Sequence, residues 1–128
     1  MKKLLLLLAT LVICTLVVAC NDPAGSQVSG PNKVKLVGAF FAASTITIHK
    51  GETITFVDDA NNGALHVLVV GKNGGQESEN GAPDFGGFAG ERIDVGEVWT
   101  SPPWNRAGVF HVTCTAHPTT MNLIVIVS

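Results

Sequence analysis

Residues Thr45-Ile46-Thr47-Ile48-His49 alternate polar and apolar side chains with a period of two, the pattern of an extended strand with one buried face. Ile46 and Ile48 point inward in this reading and the threonines outward. Lys50-Gly51-Glu52 then reads as a turn, and Thr53-Ile54-Thr55-Phe56 resumes the alternation. Further short runs rich in β-branched and apolar residues follow the same rule: Val34–Val37, Leu65–Val70, Val98–Thr100, Val109–Thr113 and Leu123–Val127. No window carries the sustained 3.6-residue repeat of an amphipathic helix. About seven short strands in one small domain predict an all-β fold, a Greek-key β-sandwich.

The N-terminal segment has a different chemistry. Lys2 and Lys3 precede an apolar run from Leu4 to Val18, which is the layout of a secretory signal. The run ends in Val17-Val18-Ala19-Cys20, which resembles the lipobox of bacterial lipoproteins. That resemblance implies a signal peptide over 1–19 and acylation of Cys20, which becomes the new N-terminus. Cys14 fits the pattern less well, because bulky Ile13 fills the position before it. Two other readings stand beside this one. An uncleaved anchor would need about 20 apolar residues to span a bilayer, more than this run supplies, and a plain cleaved signal would leave a free thiol at position 20. Each reading of the segment places the following domain outside the cytoplasm. The lipoprotein reading sets it on the outer, periplasmic or extracellular, side of the bacterial cytoplasmic membrane. Residues 20–32, with Gly, Ser, Pro and Asn and no periodicity, read as the lipidated cysteine and a flexible tether to a domain over 33–128.

Removing the signal changes the bulk properties. Without Lys2 and Lys3 the chain keeps six of its 8 basic residues against 10 acidic ones, a net charge near −4. This balance argues against a nucleic-acid partner and mildly favours a basic partner surface. Of the 3 cysteines, only Cys114 lies in the body of the domain, so no disulfide can form within it. A lone thiol in an oxidising compartment is vulnerable unless it is buried or occupied.

Cys114 also opens the most informative stretch. Cys114-Thr115-Ala116-His117-Pro118-Thr119-Thr120-Met121 sets a thiolate, an imidazole and a thioether within eight residues, between a strand and the final strand. Soft sulfur ligands favour Cu(I), imidazole serves both copper oxidation states, and two histidines, a cysteine and a weak methionine make an electron-transfer site. A second imidazole is available at the head of an apolar strand, from His66.

The pattern Cys-x-x-His-x-x-x-Met with an upstream His resembles the plastocyanin, pseudoazurin and amicyanin branch of the cupredoxins. The likeness runs over most of Val34 to Ser128. It includes Ile48-His49-Lys50-Gly51-Glu52-Thr53-Ile54-Thr55-Phe56 and the Ala107-Gly108-Val109-Phe110 approach to the cysteine. It implies one copper ion held by His66, Cys114, His117 and Met121, and a type 1 copper protein shuttling single electrons between extracytoplasmic partners. It also implies an exposed His117 edge in an apolar patch, to which Ala116, Pro118 and Pro83 could contribute. The chain departs from the pattern at Val67, where many relatives have Asn, and at Leu123, where Gly often follows the Met. Its three-residue gap between His117 and Met121 is intermediate for the branch.

The remaining expectations are plainer. His49 and His111 are expected in solvent, and Trp99 and Trp104 in the core or at its rim. Gly71–Gly90, with half of the 14 glycines, reads as a surface loop with Phe85 and Phe88 tucked onto the core. The protein is expected to be a monomer that meets redox partners transiently. A copper-delivery protein is the alternative function, but the methionine-rich run or paired cysteines of such proteins are missing. An enzyme is not expected: copper oxidases and nitrite reductases of this kind need further domains and histidine clusters, and a binuclear site needs a second nearby cysteine.

Overall fold

The computed structural model describes residues 31–61, 64–75 and 77–128. The expected signal over 1–19, Cys20 and most of the tether lie outside these residues. The domain is an all-β sandwich of two mixed sheets. In chain order its strands are β1 (Lys33–Val37), β2 (Phe40–Phe41), β3 (Thr45–Ile48), β4 (Thr55–Asp58) and β5 (His66–Val70). After these come β6 (Glu91–Ile93), β7 (Val98–Thr100), β8 (Gly108–Cys114) and β9 (Asn122–Val127). One sheet has the order β2-β1-β4-β7 and the other β3-β9-β8-β5-β6. The β1–β4 and β3–β9 pairs are parallel and the other pairs antiparallel.

Alternation drives the burial. In β9, Leu123, Val125 and Val127 are buried while Asn122, Ile124 and Ile126 face outward. From the first sheet Val34, Leu36 and Phe56 meet Leu68, Phe110, Val112 and the inner side chains of β9. Two strands lie outside the sequence expectation: Phe40–Phe41 and Glu91–Ile93 are two and three residues long, too short to show a period. The alternation at Thr53–Phe56 is displaced as well. The strand begins at Thr55, because the Ile54 amide turns to the Ser101 hydroxyl, at 3.0 Å.

Gly71–Gly90 is partly structured, and it splits its two phenylalanines. Phe85 is buried and its ring packs edge-on against Trp99 and Trp104, with centroids 4.8 and 6.0 Å away. Phe88, in a 3-10 turn over Gly87–Ala89, is 96% exposed, contrary to the expected inward packing of both rings. The turn turns outward because Gly86, Gly87 and Gly90 all adopt positive φ, which glycine tolerates. At Gly90 a side chain would also collide with β5, since a Cβ there would lie 2.8 Å from Val67 Cγ1 and Val69 Cγ1. The expectation for His111 is corrected too. Its amide and its ring Nδ1 both meet the Glu79 carboxylate, at 2.6 and 2.5 Å, so the side chain is half-buried under the loop rather than in solvent. His49 is exposed and contacts the Ser128 hydroxyl.

The strand ends are tied by polar side chains. Trp104 is fully buried, and its indole N–H donates to Ser101 Oγ at 3.1 Å. Ser101 Oγ thus accepts from Ile54 and Trp104 while donating to the Pro102 carbonyl. Substituting Ser101→Ala leaves two buried donors without an acceptor, each costing about 1–3 kcal/mol. Urea unfolding should register this as a lower midpoint with an unchanged slope.

At the turn after β3, the Glu52 carboxylate accepts the His49 amide N–H at 2.7 Å, and this bond holds its pKa below the usual 4.5. A folded value below the unfolded one gives stability that is present above 4.5 and lost as pH falls through the lowered value. Glu52→Gln should therefore make the acid fall in stability shallower between about pH 5 and pH 2, as read by urea midpoints.

Candidate metal centre

Two strands of the five-stranded sheet and one loop assemble the site. His66 is the first residue of β5 and Cys114 the last of β8, and the antiparallel register pairs Leu68 with Cys114. The loop that follows β8 is pinned by its own backbone. The His117 amide donates to the Cys114 carbonyl at 3.2 Å, and the Met121 amide to the His117 carbonyl at 3.0 Å. The Cys114 amide closes the loop by donating to the Met121 carbonyl at 3.2 Å. Val67 adds the link between strand and loop. Its carbonyl accepts the Thr115 amide at 2.9 Å, and its own amide points at Cys114 Sγ from 3.4 Å. The backbone of Val67 thus ties the loop to the strand.

These constraints bring three of the four expected ligands together. Cys114 Sγ lies 3.9 Å from His66 Nδ1 and 3.8 Å from His117 Nδ1. All three donor atoms fall within 4.8 Å of one another, the one such His/Cys/Asp/Glu group found among the described residues. The two imidazole rings are 5.6 Å apart and inclined at 54°. Cys114 and His66 are fully buried, whereas His117 is part-exposed. Met121, the fourth expected ligand, is fully buried, and its backbone is bonded to both Cys114 and His117. His49 and His111 are not members of this group.

The electrostatics of His66 involve a residue that sequence reading passed over. Nδ1 faces the thiol, and Nε2 faces the carboxylate of Asp58, with Oδ1 3.6 Å away. Burial and the neighbouring His117 push the His66 pKa below the ordinary 6.5, while Asp58 opposes the shift. Burial likewise raises the Asp58 pKa above 3.8, with His66 opposing. An imidazole kept neutral with a free lone pair is the form that binds a metal. Two imidazole nitrogens and one cysteine sulfur converging in a largely buried pocket fit a soft or borderline ion such as copper, and fit calcium or magnesium poorly.

No protein-family model matches the chain, and no curated protein matches its sequence. Solved structures do resemble it. A reduced amicyanin variant aligns with a TM-score of 0.57 at 18% identity, over 80% of this chain and 87% of its own. An oxidised amicyanin variant gives 0.57 at 17%, over 82% and 90%. A copper-containing nitrite reductase from Thermus scotoductus SA-01 gives 0.56 at 24%, over 77% of this chain and 22% of the enzyme. At these identities the shared property is the fold, a cupredoxin-like β-sandwich.

Proposed function

We propose that His66, Cys114, His117 and Met121 hold one copper ion and that the protein carries single electrons between redox partners outside the cytoplasm. The observation that carries this reading is the convergence of Cys114 Sγ with Nδ1 of both histidines, all within 4.8 Å. Copper bound there would supply the one-electron step between its +1 and +2 states. The protein's part is to keep the donors from rearranging as the charge changes. His66 and Cys114 are fixed by the β5–β8 pairing, and His117 and Met121 by the closed backbone bonds of the loop. Met121 would add a weaker thioether donor.

His117 is the part-exposed member of the set, and it is flanked by exposed Ala116 and Pro118. This small apolar edge suits brief contacts with a redox partner better than a stable complex. The resemblance of Val17–Cys20 to a lipobox supports a protein tethered by a lipid on Cys20 to the outer side of the bacterial cytoplasmic membrane. In that setting a resident metal would also protect the one thiol of the domain.

Adding Cu(II) to the purified protein should produce an intense visible thiolate-to-copper absorption, and Cys114→Ser should abolish it. A colourless wild type would sink the electron-carrier reading, and copper lost on reduction would favour delivery instead. For the anchor, Cys20→Ala should move the protein from the membrane fraction to the soluble one, without changing the colour of the copper-loaded protein. Continued membrane attachment would count against lipidation.

A further inference from the structure

Asp58 and Asp59 are adjacent in sequence and take opposite fates. Asp59 pairs with Lys35 at 2.7 Å on the surface of the first sheet. Asp58, the last residue of β4, turns its side chain into the sandwich, where it is fully buried. Neither of its carboxylate oxygens has a hydrogen-bond partner, and neither has His66 Nε2 opposite. Oδ1 and Nε2 face each other at 3.6 Å, a few tenths of an ångström beyond a hydrogen bond. A buried carboxylate left this way costs stability, and such costs collect where a site requires them.

We propose that Asp58 is the positioning residue for His66: its carboxylate accepts the Nε2–H, keeps the Nδ1 lone pair aimed at the metal position, and sets the charge balance of the site. The inference rests on the copper reading above and deepens it. A histidine ligand generally gives its second nitrogen to an acceptor, which orients the ring and raises its basicity. Here the acceptor comes from the opposite sheet, so Asp58 links the metal centre to β4 across the core. It also adds charge. The Cys114 thiolate and the Asp58 carboxylate together carry two negative charges, which balance a divalent ion and exceed a monovalent one. Asp58 therefore favours the +2 state and lowers the reduction potential.

Two variants separate these roles. Asp58→Asn keeps the shape and an acceptor but removes the charge, and Asp58→Leu removes both. Affinities for Cu(II) and Cu(I) can be measured by competition with chelators. Asp58→Asn should bind Cu(II) about 10–100-fold more weakly and Cu(I) with a smaller loss. Each tenfold difference between the two losses raises the potential by about 59 mV. Equal losses with an unmoved potential would mean a purely structural role and would overturn the charge assignment. The metal-free Asp58→Asn protein should be at least as stable as wild type, because a buried charge is gone, and a marked loss of stability would also count against the proposal. A third readout needs no copper. The ¹⁵N shifts of the His66 ring should show one tautomer, protonated at Nε2, in wild type and a mixture in Asp58→Leu. If wild type gave no coloured site, the copper reading would fail by itself, and the tautomer result would still decide whether Asp58 orients His66. Identical tautomers in both proteins would overturn that role.

Discussion

The pairing of β5 with β8 is the constraint on which the candidate site depends. Its register sets Leu68 against Cys114, and from that one alignment His66 arrives beside the thiol although 48 residues separate them in sequence. A slip of one residue would turn His66 and Cys114 to opposite faces of the sheet. The register is held by the buried face: Leu68, Val112 and Cys114 are all fully buried, so any slip would expose them. The hydrophobic effect thus places the donor atoms, and the loop bonds among Cys114, His117 and Met121 refine the placement locally.

The four-stranded sheet contributes more than a lid. Phe56, Phe85, Trp99, Trp104 and Phe110 form a chain of ring contacts that runs from β4 through the Gly-rich segment to β8. Phe85 is the central member, in contact with three of the others. A segment that looks dispensable by composition therefore supplies part of the core. Glu79 fastens the same segment to the outer face of β8 through His111. The segment is bonded to the outer face of that strand and joined to its inner face through Trp104, which packs against Phe110.

The sandwich was legible in the sequence wherever one face is buried and the strand is long enough to repeat, as in β3 and β9. The candidate ligands were legible because soft donors at close spacing have few structural reasons to occur together, and because His66 heads an apolar strand. What could not be read depends on direction rather than composition. Phe85 and Phe88 are chemically alike, and only the positive-φ glycines around them decide which one enters the core. Asp58 and Asp59, with asparagines soon after, look like ordinary turn residues. The parity of β4 sends one of them inside. Alternation put His111 on the outer face, and there a distant carboxylate covers it. That cover is set by a contact between residues 32 positions apart, which periodicity does not encode.

The placement of β9 has a consequence for how the protein comes into being. This strand is the last of the nine among the described residues, yet it lies inside its sheet, parallel to β3 on one side and antiparallel to β8 on the other. Until it is made and docked, β3 has no partner in that sheet, and the Cys114 amide lacks the Met121 carbonyl that closes the loop. Contacts between such distant segments form slowly. The thiol therefore stays accessible through synthesis and much of folding, so a compartment that oxidises cysteine sets a race between burial of the sulfur and its chemical loss.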